Sequence, residues 1–169
     1  LFRIFGAARR HFGQGGLARI RFTLVPLVFR ALGLARKVRA LEEAAAAETP
    51  NGDDDETVEK ETNGTKAEPP QYSSRKVFQF VHEIVTAMAG SFPSLSLNLF
   101  LQCAQEADRC GFKAIAYEFV SQAFIIYEDE LPDSKAQLKA LHLMVGSLLL
   151  AVGFDDSDYP FGVDLDDEA

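Results

Sequence analysis

Between residues 72 and 154, apolar side chains recur at α-helical spacing in four successive runs, and this regularity restricts the fold more than any other feature. The first run holds Val77, Val81, Ile84 and Met88, with Phe78 and Val85 beside them. The second holds Leu97, Phe100, Leu101, Ala104 and Ala107, and the third Ile115, Phe119, Val120, Ala123 and Ile126. The fourth places Leu138, Leu141, Val145, Leu148 and Leu149 on an apolar face. Helix-ending signals separate the runs. Ser74 is placed to cap the first helix and Gly90 to close it. Pro93-Ser94 opens the second, and Gly111 follows its last periodic residue. Leu131-Pro132-Asp133 breaks the third. Ser134-Lys135-Ala136-Gln137 fits a capping box, with the serine oxygen accepting the Gln137 N–H and the glutamine reaching back.

These signals predict helix starts near residues 74, 94, 113 and 134. That is about 20 residues per helix and about 40 per pair, the repeat of HEAT-like arrays. The expected fold is all-α, a HEAT-like α-solenoid of antiparallel helical hairpins, although a compact helical bundle has the same local features. Upstream, residues 1–47 read as a basic helical segment interrupted at Gly13, Gly15 and Gly16, where a turn is expected. A helical pattern resumes at about Phe22 and runs to Ala47, with Leu24, Leu27, Val28, Leu32, Ala35, Val38 and Leu41 on a broad apolar face. Pro26 then falls in its first turn. Phe2, Phe5, Phe12, Phe22 and Phe29 read as core packing.

Residues 48–71 carry Asn51-Gly52, Asn63-Gly64, Pro69-Pro70 and the run Asp53-Asp54-Asp55-Glu56, with almost no large apolar side chain. They read as a disordered acidic linker, and residues 155–169, with seven acids and no base, as a disordered acidic tail. Residues 72–154 form the helical hairpins between them. The charge follows the same division. Residues 1–41 hold nine Arg/Lys and no acid, whereas the whole chain has a net charge of −8. Ten acids fall in 42–68 and seven in 155–169, while 69–154 hold six bases and eight acids.

Composition removes several classes of function. Two cysteines, Cys103 and Cys110, cannot build a disulfide framework, and they suit a reducing, intracellular compartment. No apolar stretch reaches the roughly 20 residues a membrane span needs. The Arg-rich start has some features of a mitochondrial transit peptide, but it has no serine. The chain opens at Leu1 inside a helical pattern, which reads as part of something longer.

No catalytic, metal or cofactor-binding residue is assigned. His11, His82 and His142 belong to different elements, and Cys103 and Cys110 are seven apart with no Cys-x-x-Cys. The Gly13-x-Gly15 pattern lacks the preceding strand and following acid of a dinucleotide fingerprint. Asp155-Asp156-Ser157-Asp158 lacks the glycine and terminal glutamate of a calcium loop. Asn63-Gly64-Thr65 matters as a glycosylation sequon only in a secreted chain. Glu128-Asp129-Glu130 reads as a solvated helix end, opposed to the helix dipole and open to a basic partner. The basic stretch Arg3 to Arg39 suits an acidic neighbour better than phosphates of nucleic acid or lipid, because it lacks the aromatic and polar interleaving of base readers. Function is expected on a surface, not in a pocket.

Several long segments resemble one family. They are Arg10-His11-Phe12-Gly13-Gln14-Gly15-Gly16, the run from Arg19 to Phe29 (RIRFTLVPLVF), Leu99-Phe100-Leu101-Gln102, and Ala116 to Phe124 (AYEFVSQAF). To these are added Tyr127-Glu128-Asp129-Glu130 and Asp133-Ser134-Lys135-Ala136-Gln137. From about residue 9 to about 146 the chain is similar to the C-terminal half of the vacuolar protein sorting-associated protein 35 family, the large α-solenoid subunit of retromer. After about Gly146 the family pattern continues into further hairpins, whereas here it passes into the acidic tail, which reads as a truncated or divergent end. The resemblance implies a non-enzymatic scaffold in retrograde endosome-to-Golgi cargo transport, without cofactor and without nucleic acid. It implies docking of the phosphoesterase-like subunit, vacuolar protein sorting-associated protein 29, on the C-terminal solenoid. Protein 26 is implied to sit on the N-terminal half. Localisation is implied to be cytoplasmic, on endosomal membranes only peripherally through partners. Another trafficking α-solenoid, a coat or tethering subunit, is the alternative reading.

Overall fold

The structure is a computed structural model that describes residues 2–12, 17–47 and 72–151. The expected turn at 13–16, the linker at 48–71 and the tail at 155–169 lie outside the described residues. Every regular element described is an α-helix: α1 (Phe2–Phe12), α2 (Leu17–Ala47), α3 (Ser74–Ala89), α4 (Pro93–Arg109), α5 (Lys113–Asp129) and α6 (Ser134–Leu150). This is the all-α architecture of packed helical hairpins found in α-solenoids. The four later helices start within one residue of the positions read from the sequence. The chain divides at the end of α3 into two compact units, Leu1–Met88 and Ala89–Ala169.

In the second unit, α4 and α5 form a hairpin. Proline at the start of α4 sits where a missing N–H costs nothing. The exit is a Schellman turn. Gly111 takes φ 74°, its N–H donates to the Asp108 carbonyl at 2.8 Å and the Phe112 N–H to the Ala107 carbonyl at 2.9 Å. Glycine accepts this left-handed backbone without a Cβ penalty. Beyond the turn, Leu97, Phe100, Leu101, Ala104 and Ala107 of α4 and Ala116, Phe119, Val120, Ala123 and Ile126 of α5 are buried. The Phe100 and Phe119 rings meet at 6.1 Å between centroids, tilted by 40°. Alanines on both helices let the backbones approach.

The α6 entry corrects the expected capping box. Asp133, not Ser134, is the cap, its carboxylate accepting the Ala136 N–H at 3.1 Å. Gln137 reaches back to the Leu131 carbonyl instead, at 2.6 Å. Two potential caps stand side by side here, and the residue with extended backbone takes the role. A larger correction concerns the face of α6. Only Ala140, Met144 and Ser147 are buried on it, and Gln105 of α4 donates to the Ser147 hydroxyl at 3.1 Å. The expected inner residues Leu138, Leu141, Val145, Leu148 and Leu149 are all exposed. Because α6 is apolar around most of its circumference, spacing alone does not choose a face; the narrow stripe of Ala140, Met144 and Ser147 is the one covered.

In the first unit, α3 buries Val77, Phe78, Phe80, Val81, Ile84, Val85 and Met88. The inner stripe of α2 is Leu24, Val28, Ala31, Leu32, Ala35 and Val38, with Leu41 exposed. The α2 start is also corrected. The helix begins at Leu17, so Pro26 lies well inside it and not in the first turn. Its missing N–H would otherwise bond to the Phe22 carbonyl, a defect worth about 3 kcal/mol in an isolated helix. Thr23 lies three residues before Pro26, and its hydroxyl contacts the Arg19 and Ile20 carbonyls at 3.2 and 3.1 Å. The long buried stripe beyond Pro26 supplies the packing that carries the helix through it.

The expected serine cap of α3 is replaced by a carboxylate from α2. Glu42 accepts the Ser74 N–H at 2.8 Å and the Ser74 hydroxyl at 2.6 Å. Glu42 is 24% exposed and lies 3.9 Å from Arg39, which pairs with Glu43 at 2.9 Å. α1 is joined to α3 by the Phe2 ring, 4.9 Å from Tyr72 and 5.4 Å from Phe80, and by an Arg9–Glu83 ion pair. Of the phenylalanines assigned to the core, Phe5 is half-buried and Phe12 has no described side chain. Phe22 and Phe29 are exposed, a correction.

Phe119→Ala removes a fully buried ring from the α4–α5 core and is expected to cost about 3–5 kcal/mol. Leu138→Ala on exposed α6 surface is expected to stay within about 0.5 kcal/mol of the parent. Urea denaturation followed by circular dichroism measures both.

Candidate functional site

The structure scatters the residues that could carry chemistry. His11, His82 and His142 stand on α1, α3 and α6. Among the described residues, no three His, Cys, Asp or Glu side chains are grouped to hold a metal ion. The Gly13–Gly16 pattern, the sequon and the Asp155–Asp158 run lie outside the described residues. Glu128, Asp129 and Glu130 are exposed at the end of α5, and the neighbouring Asp133 is occupied as the α6 cap.

Cys103 is buried in the α4–α5 core, and Cys110 is buried at the α4 terminus; neither is in a disulfide. Burial first, and the Glu106 charge second, push the Cys103 thiol well above the ordinary thiol value of 9.0. A thiol held neutral is a poor nucleophile and a poor metal ligand. Above that value the unfolded chain loses the proton while the folded chain keeps it, so stability falls as pH rises, by at most about 1.4 kcal/mol per pH unit. Cys103 is therefore expected to resist Ellman's reagent in the native chain and to react at once in denaturant.

Two grooves of similar size differ in lining. One of about 280 Å³ lies between α1 and α2, lined by Phe5, Ala8, Leu24, Pro26 and Leu27, with Thr23 and Arg30. Another, of about 300 Å³, lies between α4 and α6, lined by Leu97, Asn98, Lys139 and Leu143 among others. Neither brings a nucleophile to a base.

What remains are helix faces. On α6, Leu138, Leu141, Val145 and Leu148 recur at intervals of three and four, and Leu149 is 81% exposed. On α5, Tyr117, Phe124 and Ile125 are also exposed. An apolar helix face of this length has the chemistry that contact surfaces for another helix or chain use. Sequence reading identified these α6 residues as a face but turned it inward. The available signal was the pair of small residues Ala140 and Ser147 on either side of Met144, which marks the side of close approach. Val145 is 48% exposed, so Val145→Asp is expected to leave folding stability within about 1 kcal/mol of the parent. It is also expected to reduce self-association of the isolated chain, read by light scattering after size exclusion.

No described helix is long and apolar enough to cross a membrane. Comparison with known proteins gives the chain its relatives. A family model described as vacuolar protein sorting-associated protein 35 matches residues 1–160. Vacuolar protein sorting-associated protein 35A of Arabidopsis thaliana is 38% identical over 149 residues, covering 88% of this chain and 16% of the relative. The Dictyostelium discoideum protein 35 is 34% identical over 149 residues, covering 88% of this chain and 17% of the relative. The Schizosaccharomyces pombe protein 35 is 34% identical over 87 residues, half of this chain and 10% of the relative. The chain thus spans about one sixth of the length of the first two relatives. Helical hairpins with an apolar face left open, matched along almost their whole length by that family model, show that the chain belongs to the vacuolar protein sorting-associated protein 35 family.

Proposed function

We propose that the chain is part of a non-enzymatic scaffold for protein sorting, the large subunit of the retromer cargo-recognition complex in retrograde endosome-to-Golgi transport. The supporting observation is the family match over residues 1–160 of an all-helical chain. The open α6 face agrees with it, because a scaffold helix with a second apolar side has a place for a further hairpin or subunit. Mechanism in this reading is geometric. Each helix buries one stripe within its own hairpin and offers another to the next element. An array of hairpins then holds its partners at fixed separations and orientations.

The partner assigned to this part of the scaffold is the phosphoesterase-like subunit, vacuolar protein sorting-associated protein 29. Protein 26 is assigned to the N-terminal half of the family, outside this chain. The protein works in the cytoplasm and reaches endosomal membranes peripherally. The test is a pull-down of the 169-residue chain by the purified phosphoesterase-like subunit. Retention of the chain is expected. A chain that is helical by circular dichroism and is not retained would remove the docking assignment for this segment, while the family membership would stand.

A further inference from the structure

We propose that residues 159–165 return along α6 and cover its outer apolar row, so that the chain carries its own occupant for that face. The row is Leu138, Leu141, Val145, Leu148 and Leu149, all exposed. By helical phase it lies on the side of α6 opposite the buried Ala140 and Ser147. Lys135, Lys139 and His142, also exposed, run along one flank of the row, and residues 134–150 hold no acid. Beyond α6 the sequence has the complementary pattern. Tyr159, Phe161, Val163 and Leu165 alternate with Pro160, Gly162 and Asp164, and Asp166 follows. On an extended chain this period of two sets the four apolar side chains on one side and the aspartates on the other.

Length, charge and tether select this occupant. From Leu138 to Leu149 the helix rises roughly 16 Å, and from Tyr159 to Leu165 an extended chain covers roughly 20 Å. Residues 152–158, with Gly153 and the polar run Asp155-Asp156-Ser157-Asp158, are as long as connections that reverse a chain between neighbouring elements. Pro160 has a φ that suits an extended path and no N–H to leave unpaired on an apolar surface. Direction follows from charge. Four of the seven acids in 155–169 are Asp164, Asp166, Asp167 and Glu168. Running antiparallel to α6, the segment brings them level with Lys135 and Lys139 in the first half of the helix. Running parallel, it would carry them past Leu150, where α6 has no base. A tether this short sets the segment at an effective concentration on the order of millimolar. A second copy of α6 brings lysines to lysines and gains the row only when the segment is off. The proposal does not rest on the retromer assignment, since α6 and the segment belong to one chain. An external hairpin or subunit that uses the α6 face must first displace the segment, which lowers its apparent affinity by the fraction of faces already covered.

The chain has no tryptophan, so Phe161→Trp supplies a single reporter in the full 169-residue chain. Its emission is expected to lie to the blue of the same substitution in a synthetic peptide of residues 152–169, and to be less open to quenching by acrylamide. Adding Leu141→Asp and Val145→Asp is expected to lower the ratio of seated to free segment about tenfold or more, returning the emission to that of the peptide. Lys135→Gln together with Lys139→Gln should lower the same ratio about threefold, and added salt should act in the same direction. All four positions are exposed, and circular dichroism checks that each variant stays helical. Emission equal to that of the peptide would overturn the proposal, as would a blue shift that survives Leu141→Asp with Val145→Asp. So would a blue shift that fades as the chain is diluted, which would make a second copy the occupant.

Discussion

Nearly every feature of this chain follows from helices that are apolar on more sides than their own hairpin can cover. A helix with one apolar stripe is satisfied by one neighbour. α4 buries Leu97, Phe100, Leu101, Cys103 and Ala104, a belt too wide for one partner, and it packs against both α5 and α6. α6 continues the trend, with Ala140 and Met144 inside and a full row of leucine and valine outside. The hydrophobic effect has no direction of its own. On α6, Ala140 and Ser147 admit a close backbone on either side of the buried Met144, and the leucine and valine row stays exposed. Among the described residues, polar side chains such as Glu42 and Asp133 serve helix ends, and large apolar side chains stay exposed on α6.

Most of this architecture is legible in the sequence, because the helix boundaries rest on local chemistry. Pro93 and Gly111 act through their own backbone restrictions, and a positive φ at Gly111 requires nothing remote. The starts of α3 to α6 therefore come out almost to the residue. The misreadings have a common cause in contacts that spacing does not encode. Ser74 has the chemistry of a cap, but a glutamate 32 residues earlier in the chain outcompetes it. Pro26 has the look of a helix start, but the packed stripe from Val28 to Val38 lies beyond it and carries the helix across. Phe22 and Phe29 are core residues by type and surface residues by phase; counted from Leu24 and Val28, they fall on the opposite side. The candidate surfaces were least legible, since α6 has apolar residues all round and only the presence of α4 decides which of them are covered.

The Glu42–Ser74 contact bears on the acidic stretch between them. A carboxylate at the N-terminus of α3 meets unsatisfied N–H groups and the positive end of the helix dipole, and both favour it. It also ties the last turns of α2 to the first of α3. With those ends joined, the entropy of closing the intervening loop grows only slowly with its length.

The charge asymmetry has the same origin. Nine bases precede the first acid at Glu42, yet they are not one block in space. Arg9 is paired with Glu83 on α3, and Arg39 with Glu43 in its own last turns. These pairs are partly exposed and contribute little stability on their own; their effect is to use up the bases nearest the inner side of the unit. Of the seven bases outside these two pairs, the exposed Arg19, Arg30 and Lys37 fall on the side of α2 away from its buried stripe, where no acid lies within reach along the helix. A local excess of charge on a helix that is otherwise well packed is a property of the surface and not of the core. It sits beside the two phenylalanines that the core leaves out, and the coincidence of unburied rings with unspent cations makes that face the chemically distinct one in its unit.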